Sequence, residues 1–400
     1  MLSNPKGSLP DVRLTSQSFR APTNPIVTSG AFVHESDASQ RSIELHATPS
    51  FPASKLPQVG TTIFTVMSQL AAEHGACNLG QGFPDFEGPA LLREALTRAI
   101  HGGRNQYAPM IGVNVLREAI AALVRSGDEV VVLDPCYDSY EPAIVLNGGC
   151  ARHVPLLGET FAVDWSRVAE ALTPRTRLLI INSPHNPTGA VLSATDLDTL
   201  ATLLRNSDTL VLSDEVYEHI IFDGKPHQSL SRHPELAERS FIISSFGKTY
   251  HCTGWKVGYC IAPAPLTSEF RKVHQYLTFS TFTPAQFALA EVLEKQPEHC
   301  SNLRHFYQSR RDFLQQLLAA SRFKLLPVGG AYFQLADFSA IDTERNDREF
   351  CRWLVRDVGV AAIPLSVFYE TPPTGQRLIR LCFAKGDAIL QQAAARLCSL

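Results

Sequence analysis

Phe241-Ile242-Ile243-Ser244-Ser245-Phe246-Gly247-Lys248-Thr249-Tyr250, followed by Thr253-Gly254-Trp255-Lys256-Val257-Gly258, is the stretch from which the fold and the chemistry of this chain are read. Phe241–Ser244 reads as a short buried strand, so Lys248 falls just past a strand's carboxyl end. Open α/β sheets place their reactive groups there. A lysine behind a small, hydroxyl-rich turn, with a second lysine eight residues on, suits a covalently held phosphorylated aldehyde. One amine forms an imine with the carbonyl, while the second cation and the serine hydroxyl take the phosphate. Partial burial and a neighbouring cation both lower the pKa of such an amine, and Lys256 can supply that cation. Taken alone, a lysine in this setting is more often a surface residue. Its place after a strand points instead to a pyridoxal phosphate (PLP) enzyme.

Outward from this stretch the same grammar repeats. Short apolar runs at Glu129–Leu133, Arg177–Ile181, Thr209–Leu212 and Val257–Ile261 read as further buried strands. Helical spacing covers Thr61–His74, Pro89–Ile100, Val113–Val124 and Ala194–Arg205. Buried strands alternating with helices predict an α/β fold with a mostly parallel sheet covered on both faces. Past Pro284 the pattern changes. A long helix-prone stretch, Ala285–Ser321, leads to Gly329-Gly330-Ala331-Tyr332-Phe333-Gln334-Leu335. A helix at Glu349–Asp357, strands at Val360–Ile363 and Leu378–Phe383, and a final helix at Asp387–Leu400 complete a smaller α+β domain. The expected division is an extension over 1–53, an arm over 54–88, a large domain over 89–295 and a small C-terminal domain over 296–400.

Other residues stand at the ends of these strands. Asp214, in Val211-Leu212-Ser213-Asp214-Glu215-Val216-Tyr217, can hold a pyridinium nitrogen protonated, which makes the ring an electron sink. A helix N-cap is the alternative use of such an aspartate. Tyr217 can turn its phenol toward the same ring. Asn186, in Asn182-Ser183-Pro184-His185-Asn186-Pro187-Thr188-Gly189, is either part of a plain tight turn or a donor to a cofactor oxygen. Tyr137, after Asp134-Pro135-Cys136, can stack on a flat ring or pack in the core. Arg380 is a charge inside the apolar strand Leu378-Ile379-Arg380-Leu381-Cys382-Phe383. Its fork fits a substrate carboxylate, and an internal salt bridge is the competing explanation.

Bulk properties set limits. The chain has 400 residues, 44% hydrophobic and 19% charged, with a formal net charge of −3. That charge offers no basic footprint for nucleic acid or an anionic membrane, and no apolar run approaches spanning length. Nine scattered cysteines without a CxxC pair favour reduced thiols and a cytoplasmic enzyme over a disulfide framework. Thirteen histidines show no ligand spacing, so no metal site is expected. Residues 1–50, rich in Ser, Pro and Thr, read as disordered or irregular. Arg13, Arg20 and Arg41 hint at a transit peptide, but Asp11, Glu35, Asp37 and Glu44 are acids that such peptides avoid.

Together these segments resemble the fold-type-I, class-I aminotransferases, and among them the methionine and kynurenine aminotransferases, also called glutamine transaminase K-like enzymes. The carriers are NLGQGFPDF (78–86), NQYAP (105–109), DPCYDSYEPAI (134–144), NSPHNPTG (182–189), SDEVYEH (213–219), SSFGKTYHCTGWKVGY (244–259) and IRLCFAK (379–385). The likeness runs from about Lys55 to the C-terminus. It implies that Lys248 carries PLP through an imine and shuttles the 1,3-proton shift. It further implies that Asp214 pairs with the ring nitrogen, Asn186 and Tyr217 with the phenolate oxygen, and that Tyr137 stacks on the ring. Ser245 and Lys256 would bind phosphate, joined by Tyr107 from the neighbouring subunit of a homodimer. Arg380, Asn186 and the Gly82 backbone would receive the α-carboxylate of the amino acid or 2-oxo acid substrate. Methionine or an aromatic amino acid is the expected donor.

The chain departs from the family at one place. A strand and a Gly-Ala-Thr/Ser-Glu turn, opening a helix whose amides grip the cofactor phosphate, stand in the relatives before the strand that ends in Asp-Pro. Here Leu116-Arg117-Glu118-Ala119-Ile120-Ala121-Ala122-Leu123-Val124 runs directly into Arg125-Ser126-Gly127-Asp128-Glu129. Roughly thirty residues, one strand–turn–helix unit, are missing from the pattern. Weaker PLP binding and an exposed sheet edge would follow. This departure motivates a second reading, a vestigial or weakly active protein that keeps the fold without holding PLP; a third reading keeps PLP but acts as a β-lyase on cysteine S-conjugates.

Overall fold

The computed structural model describes residues 61–104 and 115–400. The expected extension, the start of the arm and Tyr107 lie outside the described residues.

The apolar runs pair side by side into a six-stranded sheet. Its spatial order is Cys150–Pro155, Glu129–Asp134, Thr176–Asn182, Leu210–Asp214, Ser240–Ser245 and Gly258–Ile261. The first five strands are parallel. Gly258–Ile261 returns antiparallel, with Gly258 opposite Ser245. Alternation along each strand divides the side chains between two layers. Val130, Val132, Leu178, Ile180, Leu212 and Phe241 pack on one face with Ala119, Ile120 and Ile144. Val131, Leu179, Ile181 and Val211 pack on the other with Val168, Leu197, Leu200 and Leu204. Both faces are therefore covered, as continuous apolar strands require. Each such Val, Leu or Ile contributes about 1.5–3 kcal/mol on full burial.

Local chemistry sets the helix ends. Helix Ala194–Leu204 starts on a capping box in which the Ser193 and Asp196 side chains bond each other's backbone N–H, satisfying two otherwise unpaired donors. The stretch expected as one long helix, Ala285–Ser321, is two, Thr283–Lys295 and Glu298–Leu318. Pro297 stands at the break, where its missing N–H and ring clash stop an incoming helix. Strand Cys150–Pro155 has no counterpart in the sequence reading. It is an edge strand with mostly exposed or half-buried residues, so it lacks the apolar run that marks a buried one.

The rest of the chain builds a second, antiparallel sheet in the order Ile363–Pro364, Leu378–Cys382, Phe333–Asp337, Lys324–Leu325. In it Arg380 lies opposite both Leu335 and Ile363. Cys77–Asn78 pairs in parallel with Val360–Ala361, which ties the segment before Gly80 to the C-terminal part. The Asn78 side chain then accepts from the Gly80 and Gln81 amides and turns the loop toward Gly82. Among the described residues no helix is long and apolar enough to cross a membrane.

Candidate active site

A cavity of about 420 Å³ opens at the carboxyl ends of the parallel strands. Tyr137, Asn186, Asp214, Tyr217, Ser245, Lys248 and Lys256 all line it. Gly82 and Arg380 adjoin it through Asn186 and Tyr332.

Lys248 sits on the single turn Phe246–Thr249 that follows strand Ser240–Ser245. Its Nζ donates to the Tyr332 hydroxyl at 3.2 Å, and that hydroxyl donates to the Gly82 carbonyl at 2.8 Å. Burial, reinforced by the Lys256 charge, pulls the Lys248 amine down to about 8. A salt-bridged lysine would show the opposite shift. Asp214 ends its strand with its carboxylate taking the Tyr140 hydroxyl at 2.7 Å. Burial raises its pKa, opposed by the Tyr140 hydrogen bond, the Val216 amide and the Lys248 charge. A cation brought against it would repay that desolvation. Asp214 is not a helix N-cap: no helix starts on it.

The turn after strand Thr176–Asn182 is shaped by two cis peptides, Ser183-Pro184 and Asn186-Pro187. Asn182 fastens it. Its amide donates to the Asp214 carbonyl at 2.7 Å and its Oδ1 accepts from the Asn186 backbone N–H at 2.8 Å. Asn186 Oδ1 in turn accepts from Arg380 Nη1 at 2.6 Å. Gly189, at φ 73°, packs so closely that a Cβ would come 2.9 Å from Val328 and 3.1 Å from the Gly330 carbonyl.

Arg380 is 1% exposed. Its Nη2 reaches the Gly80 carbonyl at 3.3 Å, and its buried Nε has no hydrogen-bond partner among the described residues. The rings of Phe333, Phe368 and Phe64 lie 4.0, 5.0 and 5.2 Å from the guanidinium carbon. Among the described residues no carboxylate forms an ion pair with it, so the internal salt bridge considered for this strand is not made. Burial lowers its pKa, while the nearby Cys382, Tyr217, Tyr332 and Asp138 favour the cation. Gly82 belongs to the same corner: a Cβ there would meet the Phe333 ring at 3.0 Å and Arg380 Nη2 at 3.8 Å.

Tyr217 is 2% exposed and meets the Tyr332 ring edge-on at 5.0 Å. Tyr137 meets Tyr140 edge-on at 5.6 Å, with its ring bordering the cavity. Tyr140, Tyr332 and Asn182 are participants that sequence reasoning quoted without assigning. The glycine pair before Tyr332 was a usable signal, since Gly330 packs against Pro184 and the Ile220 carbonyl with no room for a Cβ.

Residues 55–397 match the family described as aminotransferase class I and II. The methionine aminotransferase of Escherichia coli is 51% identical over 381 residues, a match covering 87% of this chain and 98% of the relative. The human kynurenine–oxoglutarate transaminase 1 is 33% identical over 388 residues, covering 81% of this chain and 92% of the relative. The crystal structure of Escherichia coli YbdL, identified as a methionine aminotransferase, superposes with a TM-score of 0.85 at 50% identity, covering 88% of this chain and all of that one. These relatives support an amino acid aminotransferase and do not favour the vestigial or lyase readings. The fold is that of the fold-type-I PLP transferases. This chain belongs to the class I and II aminotransferase family.

Proposed function

We propose that this PLP-dependent transaminase takes the amino group from methionine or an aromatic amino acid and passes it to a 2-oxo acid in two successive half-reactions. One observation carries the reading: a lysine whose proton affinity is lowered by burial and a buried aspartate line one cavity, and a buried arginine with no acid partner among the described residues adjoins it through Asn186. When bound, PLP supplies an electron sink for negative charge at the substrate Cα. The residues fit that group. The cavity lies within the usual size range of cofactor sites, Lys248 faces it, and Asp214 and Lys256 line it together. Lys248 would hold the aldehyde carbon, Asp214 the ring nitrogen, and Asn186 and Tyr217 the phenolate oxygen. Tyr137 would cover the ring, and Ser245 and Lys256 would hold the phosphate. Arg380, Asn186 and the Gly82 backbone would orient the substrate carboxylate.

The chain's own contributions follow from its electrostatics. A Lys248 amine near pH 8 can accept a proton from the substrate Cα and return it at the neighbouring position. Tyr332 keeps Nζ from swinging freely, because it links Nζ to the Gly82 carbonyl. Tyr140 holds Asp214 in place through its hydroxyl. The test is direct. Purified protein with PLP, given methionine or phenylalanine and a 2-oxo acid, should yield the corresponding new amino acid. No transfer from either donor would sink the substrate reading.

The capture of PLP should depend on pH in a defined sense. Only the neutral amine attacks a carbonyl. The capture rate should therefore rise about tenfold per unit below pH 8 and level off above it. Lys256→Gln removes the neighbouring positive charge, so the midpoint should move to higher pH. Stopped-flow absorbance of cofactor-free protein mixed with PLP would measure both profiles, and an unmoved midpoint would remove Lys256 from this role.

We place the enzyme in the cytoplasm as a homodimer. All nine cysteines are free thiols. Tyr276, Leu277 and Phe282 leave large apolar surfaces exposed, Tyr276 by 85%, a pattern that a partner copy would relieve. We also propose that one strand–turn–helix unit of the family is absent from this chain. The Escherichia coli match runs over 381 residues, more than the 87% of its 400 residues that this chain contributes. Helix Val115–Leu123 enters strand Glu129–Asp134 through a short turn, and beyond Gly258–Ile261 no further strand pairs among the described residues.

A further inference from the structure

The helix Val115–Leu123 leads into the amino end of strand Glu129–Asp134. It therefore runs opposite to the parallel strands, and its first turn lies level with the cavity at their carboxyl ends. Its position is set from below. Glu118, 1% exposed, accepts from the buried His274 Nδ1 at 2.8 Å and from the Thr278 hydroxyl, and Ala119 and Ile120 are fully buried against the sheet. Removing one partner from such a buried pair is costly, so the helix has little freedom to shift.

Arg117 immediately precedes Glu118 and lines the same cavity as Ser245, Lys256 and Gly258. Its charge is felt at the Tyr137 phenol. No hydrogen bond or ion pair engages its guanidinium among the described residues. Asp214, the carboxylate in the cavity wall, is already taken up by Tyr140. The cavity is thus lined by two cations besides Lys248, together with the Ser245 side chain, and among the described residues no carboxylate forms an ion pair with either.

We propose that Arg117 is a ligand for the cofactor phosphate, forming with Lys256 and the Ser245 hydroxyl an anion site that replaces the missing helix-terminus amides; this rests on reading the cavity as the PLP site. A phosphate monoester carries about −1.5 to −2 charges near pH 7. Two cations match it, and the guanidinium fork accepts two phosphate oxygens side by side. Nothing in the sequence pattern alone marks Arg117, because it reads as one polar position on an amphipathic helix.

The test compares two aldehydes on the cofactor-free protein: PLP, and pyridoxal, which lacks the phosphate. Binding is followed by the absorbance of the lysine-bound aldehyde. Arg117→Ala should raise the Kd for PLP about tenfold to a hundredfold, the worth of a charge-assisted hydrogen bond. Its Kd for pyridoxal should stay within about twofold, and Arg117→Lys should recover part of the loss. An unchanged Kd for PLP overturns the assignment. So does an equal loss for both aldehydes, which would mark a structural role. Normal PLP affinity with impaired turnover of glutamate alone would hand Arg117 to a substrate side chain and overturn it as well. If the unaltered protein gives no lysine-bound absorbance with either aldehyde, the cavity reading falls together with this one.

Discussion

Lys248→Ala is expected to abolish the absorbance of the lysine-bound cofactor and to lower transamination by at least roughly 10³-fold, since the proposal makes one side chain both the covalent anchor and the proton carrier. An amine pulled down to about 8 by desolvation and by Lys256 is a free nucleophile for an appreciable fraction of the time at neutral pH, which an ordinary surface lysine is not. Its direction is set by Tyr332, whose hydroxyl accepts a hydrogen bond from Nζ at 3.2 Å. Lys248→Arg should fail equally, because a guanidinium stays protonated. The spectrum and a single-turnover amino transfer measure the two losses separately. Full activity in Lys248→Ala would end the proposal for this residue.

Arg380→Ala should leave the cofactor absorbance in place while lowering kcat/KM for the amino donor by roughly a hundredfold to a thousandfold. Losing one side of a buried charge–charge contact costs about 2–5 kcal/mol, at about 1.36 kcal/mol per factor of ten. The physical basis is an unfinished electrostatic arrangement. The guanidinium is almost fully buried, surrounded by three phenylalanine rings, bonded to Asn186 and the Gly80 carbonyl, and its Nε has no partner among the described residues. A buried cation without an anion is costly until one arrives, and a substrate carboxylate is the anion this corner can hold. Arg380→Lys should recover only part of the rate, because a point charge does not reproduce the fork. Steady-state kinetics at saturating PLP decides the matter, and unchanged kcat/KM in Arg380→Ala would remove Arg380 from substrate binding.

Much of this site was legible from residue order, for a simple reason. In a parallel sheet covered on both faces, strands are uninterrupted apolar runs, and the polar residue that ends a run stands at the edge where ligands bind. Asp214, Lys248 and the Asn182–Gly189 turn each follow such a run. Elements that break this rule escaped notice. Strand Cys150–Pro155, at the sheet edge, carries Arg152 and His153 and shows no apolar run. The division of the 285–321 stretch needed one proline to be weighed against a long helical period.

The sequence by itself determined the layered α/β architecture, the lysine proposed to anchor the chemistry and the strand-end positions of the residues around it, because burial pattern and turn chemistry are local properties of the chain. Tertiary structure alone decided which of those residues meet. Arg380 reaches Asn186 across 194 residues, Lys248 reaches Tyr332 across 84, and Tyr140 reaches Asp214 across 74. Such contacts join separate strands and separate sheets, so no spacing rule encodes them. The same holds for the unpaired Nε of Arg380 and for the amine of Lys248, whose altered proton affinity comes from burial and from Lys256. A charge inside an apolar strand announces that something must meet it. Only the packed molecule shows that, among the described residues, no acid pairs with it.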